Sequence, residues 1–390
     1  MRILSSIAID VRLIYLSNSV IPSHEANAIQ VMKMCDALTQ IGQKVVLYGR
    51  KGQDFGLDLS GFYSLRTAFE VRQIRVPNIL KIRRIIFALI ILFQLRQERQ
   101  PFRIIGRDYF LMGFYAKFRL LPGSYCLEIH QPPANHLQFL LQKWIFEHAR
   151  FEKLIVISHA LKEEYLRRFG ELVSGKILVA HDGADAYQLP ESLAPPRKYS
   201  AIHSPPRIGY IGSFYPGKGI EMILTLAPRL PEYDFHVVGG TPTELSRWTA
   251  QKLSPNLRFH GFVPPAHIYT HMANCDILLA PFMDAVLVGR KGGDIVRWMS
   301  PLKVFEYMSA GVPMICTDLP VLREVLTDQV NCLLAQVNDP EDWEKKIRLL
   351  IEKPSLRETI GRQAQQDFFA QYTWEKRAYK LMNDIPVQAE

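Results

Sequence analysis

A lysine and a glutamate stand three residues apart in the stretch "SPLKVFEYMSAGVP", residues 300–313. On a helix this spacing places Lys303 and Glu306 on one face. The free N–H groups at a helix start bind anions, and Lys303 in the first turn adds positive charge. A carboxylate about one turn, ~5 Å, further along can accept two hydrogen bonds from the hydroxyls of a ribose. A phosphate beside a ribose describes a nucleotide, and the alternative is a surface Lys–Glu pair.

The flanking residues predict the ends of that helix. Ser300 is a good N-cap residue, and Pro301 suits the first helical position. Gly311 suits the left-handed residue that ends a helix, and Pro313 prevents the helix from resuming. We therefore expect a helix over about 301–310, whose start follows the irregular, glycine-rich loop "VGRKGGDIVRWM".

A second candidate anion site is the stretch "IGYIGSFYPGKGIEMIL", residues 208–224. A buried strand leads into a glycine-rich turn, Lys218 and an amphipathic helix, and the N–H groups of such a turn can bind phosphate beside the lysine. Gly212 to Lys218 also spells G-x-x-x-x-G-K, the core of the phosphate loop of nucleoside triphosphatases. That loop continues with a serine or threonine that binds magnesium, whereas this chain has Gly219, so the ATPase alternative is disfavoured.

Short apolar runs that predict strands alternate with longer helical patterns along the whole chain. Continuous Val/Ile/Leu runs, rather than strict alternation, suit strands that are covered on both faces by helices. The runs lie at 3–10, 43–50, 102–108, 125–130, 153–159 and 176–183 in the first half, and at 207–214, 233–240, 258–262, 275–282, 312–318 and 331–335 in the second.

The alternation of strand and helix predicts an α/β fold with parallel sheets and right-handed crossovers. At 390 residues, two domains are expected. We expect two Rossmann-like doubly wound domains facing a central cleft, where the carboxyl ends of the strands bind ligands. The predicted limits are an N-terminal domain over 1–188, a proline-rich linker over 189–206, a C-terminal domain over 207–372, and a C-terminal helix over 373–390 that packs back on the first domain.

The composition indicates a folded chain without a membrane-spanning segment. Hydrophobic residues make up 48% of the chain and charged residues 22%, and no run approaches the roughly 18 apolar residues that a spanning helix needs. The five cysteines are odd in number and include no close pair. This usage favours buried thiols in a reducing compartment over disulfides or a zinc site, so we expect a cytoplasmic protein.

The positive charge is concentrated in residues 71–120. This stretch holds eleven lysines and arginines against Glu98 and Asp108, an excess of nine that equals the net charge of +9 of the whole chain. Within it, residues 79–100 form an apolar segment bracketed by basic residues. Such a segment suits the surface of an anionic membrane, and the alternative is a buried helix with a solvated basic collar. Nucleic acid is disfavoured because no recognised binding motif accompanies the charge.

The motifs "GSFYPGKGIEMIL", "CDILLAPF" and "SPLKVFEYMSAGVPMICTDLPVLREVL", in this order and spacing, resemble family-4 glycosyltransferases of the GT-B fold. Members of that family are retaining enzymes that use nucleotide sugars. In the first half, "NSVIPSHEANAIQVMKMCDAL", "YCLEIH", "KLIVISH" and "HDGAD" resemble the acceptor domain of the same family. The resemblance therefore covers nearly the whole chain and makes the first domain acceptor-binding and the second nucleotide-sugar-binding.

The resemblance implies roles for individual residues. Lys218 is similar to the family's diphosphate-binding lysine, Glu306 to the ribose-binding second glutamate of its Glu-x7-Glu pattern, and His130 to the histidine that contacts the transferred sugar. The alternative for His130 is an ordinary histidine at a strand end. The loop around Gly261 and Phe262 resembles the base pocket. The other substrate-binding positions are Ser213, Gly217, Trp298, Ser300, Pro301, Leu302 and Lys303 in the second half, and Glu25, Asn27 and Asp108 in the first. For Glu25 and Asp108, which we place in the cleft, the alternative is a solvated surface charge.

The sequence departs from the family pattern at three places. Trp298 stands where the first glutamate is expected, and Ser213 stands where an arginine often precedes the phosphate-binding lysine. The first-domain loop has "SHEANA" (23–28) instead of a glycine pair. The family contains a Trp-x-Ser-Pro-Leu-Lys subgroup that also lacks the first glutamate, so the departures concern the identity of the sugar more than the reaction.

The resemblance implies a hexosyltransferase that moves a sugar from a UDP- or GDP-linked donor to a lipid-linked or polysaccharide-precursor acceptor. Such an enzyme serves cell-envelope or exopolysaccharide biosynthesis at the cytoplasmic face of the membrane. The nucleotide sugar is a co-substrate, and no separate cofactor is expected. The alternatives are a nucleotide-sugar epimerase of the same fold, or a non-catalytic nucleotide-sugar-binding module.

The residues also suggest a mechanism. No acidic pair with metal-ligand spacing stands out, so we expect metal-independent catalysis in which Lys218 and helix dipoles stabilise the leaving diphosphate. Retention normally uses a carboxylate nucleophile, and the sequence offers no clear candidate. Our hypothesis is therefore a same-face displacement in which the acceptor hydroxyl gives its proton to a phosphate oxygen while His130 orients the sugar.

Overall fold

The computed structural model describes residues 11–52, 56, 58–77, 82–120, 123–187, 202–250, 252–287 and 294–384. The chain forms two compact units. The first comprises the residues up to Ile157, Leu161–Ala180 and those from Ala378 onward, and the second comprises Ser158–Ala160 and His181–Arg377. The predicted linker falls mainly on 188–201, outside the described residues, so the predicted domain limits stay a prediction.

The first unit contains a seven-stranded parallel sheet in the order β3-β2-β1-β4-β5-β6-β7. This order reverses direction between β1 and β4, which is the switch point of a doubly wound fold. The strands are β1 (Arg12–Ile21), β2 (Lys44–Lys51), β3 (Glu70–Ile74), β4 (Phe102–Gly106), β5 (Tyr125–Ile129), β6 (Phe151–Val156) and β7 (Ile177–Val179).

Helices connect these strands along the chain, as parallel pairing requires. Asp108 and Asn135 begin two of them as N-caps, since their side chains accept the N–H groups of Phe110 and Gln138. The helices are α1 (Ala26–Gln40), α2 (Leu59–Tyr63), α3 (Arg83–Gln97), α4 (Tyr109–Lys117), α5 (His136–Glu147) and α6 (His159–Phe169).

Five of the six strands predicted in the first half are present, and two further strands were missed. The predicted strand at 3–10 lies outside the described residues, while β1 begins at Arg12. The second half of β1, "SNSVI", contains three polar residues, so the strand does not form a continuous apolar run. The other missed strand, β3, has the sequence "EVRQI" and lies at the sheet edge, where half-buried residues need not form an apolar run.

The second unit contains a six-stranded parallel sheet in the order β10-β9-β8-β11-β12-β13, and all six predicted strands are present. Its strands are β8 (Arg207–Ile211), β9 (Asp234–Val238), β10 (Leu257–Gly261), β11 (Ile277–Ala280), β12 (Met314–Thr317) and β13 (Leu333–Ala335). Its helices are α7 (Ile220–Leu226), α8 (Pro242–Thr249), α9 (Pro265–Ala273), α10 (Leu302–Ala310), α11 (Pro340–Glu352) and α12 (Pro354–Gln371), and α13 (Trp374–Asp384) ends the described chain.

Both faces of the second sheet are buried in separate hydrophobic cores. Successive residues of β11 alternate between them, with Leu278 in one core and Leu279 in the other. The first core also holds Phe305 of α10, and the second holds Trp343 of α11. This two-sided burial explains why the strands read as continuous apolar runs. The prediction of two doubly wound α/β domains is confirmed.

Helix α3 carries the apolar part of the basic stretch. One of its faces is buried through Phe87, Ala88, Ile91, Leu92 and Leu95. A second apolar stripe stays exposed, with Ile82 at 44%, Ile85 at 42%, Leu89 at 51% and Phe93 at 64% of full accessibility. Helix α3 therefore has one buried face, as the buried-helix alternative requires. It also has an exposed apolar face, as the membrane-surface alternative requires.

All five cysteines are buried, and none forms a disulfide, as the sequence predicted. Among the described residues, none of the helices combines the length and the apolar character required to cross a bilayer.

Candidate functional site

The loop between β8 and α7, residues 212–219, is shaped by glycines with positive φ. Gly217 has φ +81° and Gly219 has φ +106°. A Cβ at Gly217 would overlap the carbonyl oxygen of Ala285, and a Cβ at Gly219 would overlap that of Pro281. No serine or threonine fits at position 219, so the loop departs from a magnesium-binding phosphate loop for steric reasons as well as by residue type.

Two side chains hold the backbone of this loop at Lys218. The carbonyl oxygen of Lys218 lies 3.1 Å from the Tyr210 hydroxyl and 3.4 Å from the Lys303 ammonium, both of which can donate to it. The Tyr210 hydroxyl also lies 2.7 Å from the carbonyl oxygen of Ser213. The strand residue Tyr210 and the helix residue Lys303 thus fix the loop that presents Lys218.

Helix α10 is positioned against the sheet by Tyr307. The backbone N–H of Ile211 donates to the Tyr307 hydroxyl at 2.8 Å, and this hydroxyl lies 3.1 Å from the carbonyl oxygen of Ile211 and 3.3 Å from that of Leu279. These contacts join α10 to the carboxyl ends of β8 and to β11. They bring Lys303, one turn earlier on α10, against the loop after β8.

Lys218 and Lys303 form a pair of neighbouring cations. The ammonium of Lys303 lies 3.8 Å from the ring centroid of Tyr210 and 5.0 Å from that of Phe282, and the ammonium of Lys218 lies 5.6 Å from the same Phe282 ring. Aromatic faces attract cations, but more weakly than a full negative charge does. Among the described residues, neither ammonium makes an ion pair with a carboxylate.

The pKa values of both lysines reflect this surrounding. Burial lowers the pKa of Lys218 to about 8. Burial, followed by repulsion from Lys218, lowers the pKa of Lys303 well below its usual range. The buried Lys303 and the half-buried Lys218 repel each other without a paired anion among the described residues, and a diphosphate would neutralise such a site.

Glu306 lies on α10 near this pair. It acts on Lys303 by attraction, which opposes the fall in the pKa of Lys303. The side chain of Glu306 is half-buried. The structure therefore places Lys218, Lys303 and Glu306 in one neighbourhood, with Lys303 in contact with the loop of Lys218.

The start of α10 differs from the prediction. Pro301 is the N-cap and Leu302 the first helical residue. Ser300 does not cap the helix, because its hydroxyl accepts the backbone N–H of Asp182 at 2.8 Å. The end was predicted correctly, since Gly311 takes φ +65° after Ala310. No side chain caps the first N–H groups of α10, whose start is half-buried.

Trp298, Gly261 and Phe262 are the other predicted positions of the second unit. The carbonyl oxygen of Trp298 accepts the Ser158 hydroxyl at 3.0 Å, and the Trp298 side chain is half-buried. Gly261 takes φ +73° at the end of β10, and its carbonyl oxygen accepts the N–H of Gly239 at 2.7 Å. Phe262, which follows it, is 42% exposed. An exposed aromatic ring after a strand end suits a base-stacking surface.

In the first unit, His130 follows β5 and lies between two charged groups. Its Nε2 is 2.9 Å from Glu128 Oε1 and 2.9 Å from Arg107 Nη2. A protonated Nε2 donates to the carboxylate, and an unprotonated Nε2 accepts from the guanidinium. In either protonation state, these contacts fix the orientation of the His130 ring. An ordinary histidine at a strand end would not need two such partners.

Glu128 is a residue of this site that the sequence analysis missed. It is fully buried, and its carboxylate accepts the Tyr15 hydroxyl at 2.8 Å and the Gln30 amide at 3.0 Å, with Arg107 Nε at 3.6 Å. The sequence did contain a sign of this role, because Glu128 is a charged residue within the apolar run "YCLEIH". It stands two residues before His130, and this spacing places both side chains on one face of the sheet. Buried carboxylates need partners of this kind.

The remaining predicted residues of the first unit have structural partners. Asp108 caps α4 by accepting the N–H groups of Phe110 and Leu111, and burial raises the pKa of Asp108. Glu25 is the exposed N-cap of α1 without a side-chain cap bond. Asn27 is exposed, and its carbonyl oxygen accepts Arg107 Nη1 at 3.2 Å. Arg107 therefore links Asn27 to His130.

Comparison with known proteins finds similarity to glycosyltransferases. Residues 205–353 match the family model of glycosyl transferases group 1. The chain shares 24% identity over 169 residues with an uncharacterized glycosyltransferase of Methanocaldococcus jannaschii, which covers 43% of this chain and 44% of the relative. It shares 25% identity over 257 residues with the phosphatidyl-myo-inositol mannosyltransferase of Mycolicibacterium smegmatis, covering 59% and 63%. The matches thus span about half to two thirds of these relatives.

Solved structures resemble the chain over nearly its full length. The Anabaena protein HepE, solved in complex with UDP, superposes with a TM-score of 0.70 at 14% identity, covering 96% of this chain and 99% of that one. This likeness shows the fold, which is the GT-B fold of two Rossmann-like units. The residues that match the family model of glycosyl transferases group 1 lie within the second unit.

Proposed function

We propose that this protein is a retaining glycosyltransferase that moves a sugar from a nucleoside-diphosphate sugar to a lipid-linked or polysaccharide-precursor acceptor. The observation that carries the proposal is the pair of neighbouring ammonium groups of Lys218 and Lys303 beside Phe282. A diphosphate supplies the negative charge that this pair lacks within the described residues. The family match of the same segment supports transfer rather than another use of a nucleotide.

Lys218 and Lys303 stabilise the leaving diphosphate as the glycosidic bond to the donor breaks. Charge develops on the phosphate oxygens at this step, and preorganised cations in a partly desolvated site lower the barrier most there. The two donors require no reorganisation, because Tyr210 and Tyr307 hold the loop and the helix that carry them. The chemistry needs no metal ion in this account.

The other proposed contacts follow from the same placement. Glu306 accepts hydrogen bonds from the ribose hydroxyls, and Phe262 stacks on the base. His130, held by Glu128 and Arg107, orients the transferred sugar. The acceptor hydroxyl attacks from the face that the diphosphate leaves and gives its proton to a phosphate oxygen. No separate cofactor takes part, since the UDP- or GDP-linked sugar is a co-substrate.

The proposed acceptor and location rest on relatives and on α3. A relative is named as a mannosyltransferase of a phosphatidyl lipid, which supports a lipid-linked acceptor in cell-envelope biosynthesis. The stripe Ile82, Ile85, Leu89 and Phe93 leaves an apolar face exposed beside basic residues. We propose that α3 rests on an anionic membrane at its cytoplasmic face.

Donor binding is tested by thermal unfolding with a panel of UDP-, GDP-, ADP- and dTDP-sugars. A ligand at a hundred times its Kd adds about 2.7 kcal/mol of stability. Mass spectrometry of the products then separates the functions. Free nucleoside diphosphate with a glycosylated acceptor supports transfer, and a changed sugar on an intact nucleotide supports an epimerase. Binding without turnover supports a non-catalytic module, and a panel without any shift contradicts the proposal.

Membrane association is tested by co-sedimentation with vesicles of phosphatidylglycerol and phosphatidylcholine at low and high salt. Phe93→Ser on α3 is expected to release the protein, whereas Phe369→Ser, an exposed phenylalanine of the second unit, is expected to leave binding unchanged. Electrostatic attraction weakens with salt, so binding should fall as ionic strength rises. Equal sedimentation of both variants would remove α3 from the proposal.

A further inference from the structure

A cavity of about 530 Å³ lies in the first unit where helices α4 and α5 end, and we call it the α4–α5 cavity. The polar and aromatic residues that line it are Lys117, Arg119, Trp144, Glu147, His148 and Arg150. Its volume is within the range of small-molecule sites, roughly 300–1,000 Å³. Tyr125, the first residue of β5, contacts the His148 ring at a centroid distance of 5.5 Å. His130 follows the other end of β5, roughly 16 Å along the strand, so the cavity is separate from the proposed sugar site.

The lining of the α4–α5 cavity has an excess of positive charge. Three of its residues are cations, Lys117, Arg119 and Arg150. Glu147 is the one carboxylate of the described lining, and it pairs with Lys143 at 3.5 Å. Lys117 and Arg119 make no ion pair with a carboxylate in the part of the chain that the structure describes. The cavity therefore offers more positive charge than its own carboxylate can offset.

Two rings position hydrogen-bond donors at this cavity. The ammonium of Lys117 lies 4.6 Å from the ring centroid of Trp144, a contact that holds the cation without cancelling its charge. Nδ1 of His148 accepts the backbone N–H of Arg150 at 3.2 Å, so the proton of the neutral ring is on Nε2, which can donate. Burial, followed by repulsion from Arg150 and Arg119, lowers the pKa of His148. That repulsion shows that both arginines direct positive potential towards the same ring.

Arg119 has a backbone conformation that glycine adopts more easily. It follows α4 with φ +51°. Its N–H donates to the carbonyl oxygen of Ala116 at 3.1 Å, and the N–H of Leu120 donates to that of Tyr115 at 2.9 Å. These are the two hydrogen bonds of a Schellman motif, whose left-handed position is usually occupied by glycine. Backbone strain of this kind is concentrated at functional sites, so the arginine at this position indicates a use for its side chain.

We propose that the α4–α5 cavity binds the phosphate group of a phosphomonoester. Such a group carries about −1.5 to −2 charges at pH 7 and has three strong acceptor oxygens. Lys117, Arg119 and Arg150 offset this charge, and their N–H groups and that of His148 Nε2 donate to the phosphate oxygens. A phosphodiester carries a single negative charge and has fewer free oxygens, so it matches three cations less well.

Two sources present the same phosphomonoester chemistry. One is a soluble molecule such as a sugar phosphate, and the other is phosphatidic acid in a membrane. The inference does not rest on the proposed glycosyl transfer, because the cavity shares no residue with the site of Lys218 and Lys303 or with the surroundings of His130.

The soluble source is tested by titration calorimetry of the full chain with glycerol 3-phosphate. We expect Lys117→Gln and Arg119→Gly each to weaken binding tenfold or more, because each substitution removes a charge-assisted donor. Lys51→Gln removes an exposed lysine of the same unit that does not line the cavity. It changes the net charge by the same amount as Lys117→Gln, and we expect it to bind as the wild type does.

The membrane source is tested by co-sedimentation with phosphatidylcholine vesicles that contain either phosphatidic acid or phosphatidylglycerol. If the phosphate belongs to a lipid, the wild type prefers phosphatidic acid, and Lys117→Gln and Arg119→Gly lose this preference while Lys51→Gln keeps it. Binding of glycerol 3-phosphate without a lipid preference identifies a soluble source. Phe93→Ser on α3 is expected to lower binding to both kinds of vesicle, so failure of the membrane proposal for α3 is distinguishable from failure of the cavity proposal.

Several results would overturn the proposal. They are a wild type that neither binds glycerol 3-phosphate nor prefers phosphatidic acid, binding that survives unchanged in Lys117→Gln and Arg119→Gly, or binding that only Lys218→Ala abolishes. The midpoint of urea unfolding of Arg119→Gly should be no lower than that of the wild type, because glycine suits φ +51°. A lower midpoint would show that Arg119 supports the end of α4, and Lys117→Gln then decides the question.

Discussion

The ammonium of Lys303 lies 3.4 Å from the carbonyl oxygen of Lys218. The helix lysine therefore supports the backbone of the loop lysine while both ammonium groups lie beside the ring of Phe282. A single arrangement thus serves two purposes, because it fixes the loop after β8 and concentrates two positive charges where a diphosphate can bind.

Lys218→Ala is expected to lower kcat/KM by about a hundredfold or more, because one preorganised donor to developing charge contributes ~3 kcal/mol. Release of nucleoside diphosphate from the donor identified by the thermal panel measures the effect. Lys252→Ala, an exposed lysine of the same unit, is the control and should retain full activity. A Lys218→Ala enzyme with most of its activity would contradict the assignment of Lys218.

Nucleotide binding should weaken as pH rises through about 8. The pKa of Lys218 is lowered to about 8 in the unliganded protein, so above this pH the lysine must take up a proton to bind a diphosphate. Titration calorimetry with UDP and GDP between pH 6.5 and 9.5 measures the change. In Lys218→Met the same pH dependence should be reduced, and an identical dependence in both proteins would exclude Lys218 as its cause.

The same pKa has the opposite effect on the stability of the unliganded protein. The unfolded chain binds more protons at this lysine than the folded chain does between pH 8 and the usual lysine pKa, so the contribution of Lys218 to the free energy of unfolding rises over that window. The comparison is urea unfolding of the wild type and Lys218→Met at pH 7.5 and 9.5. The stability advantage of Lys218→Met should shrink at the higher pH, and an advantage that grows would show that the sign is wrong.

Gly219→Ala is expected to disrupt the loop beyond the cost of its backbone angle. An alanine at φ +106° is strained, and its Cβ would also overlap the Pro281 carbonyl oxygen. Gly42→Ala provides the match, because Gly42 has φ +89° with nothing near its absent Cβ. We expect Gly42→Ala to cost about 1–2 kcal/mol and Gly219→Ala to cost more and to weaken UDP or GDP binding. Equal losses of stability with intact binding would refute the steric argument.

Glu128→Gln should destabilise the first unit and misplace His130. The amide keeps the size of the carboxylate but has one acceptor oxygen in place of two, so it cannot accept from both Tyr15 and Gln30. It also removes the charge that faces Arg107 and His130. Breaking a buried ion pair on one side costs about 3–5 kcal/mol. Urea unfolding measures the loss of stability. Glu147→Gln, an exposed glutamate at the end of α5, is the control and should change it little.

Sequence patterns predicted much of the fold and part of the site. Eleven of the twelve predicted strands are present, because a strand covered on both faces must be apolar throughout, and this leaves a local signal. The end of α10 was predicted because only a residue such as Gly311 takes φ +65° easily. Edge strand β3 was missed because its half-buried position tolerates charged residues.

The sequence by itself determined the residue types at the site, since the spacing of Lys303 and Glu306 on a helix, and of Gly217, Lys218 and Gly219 in a turn, follows from local geometry. Only the tertiary structure decided which groups these residues meet. Ser300 accepts a bond from Asp182, 118 residues away, instead of capping α10. Lys303 contacts the loop of Lys218 across 85 residues, and Glu128 meets Tyr15 across 113. These contacts form because the sheets bring together segments that are far apart in the sequence. A local pattern of residues contains no information about which distant segment will lie beside it.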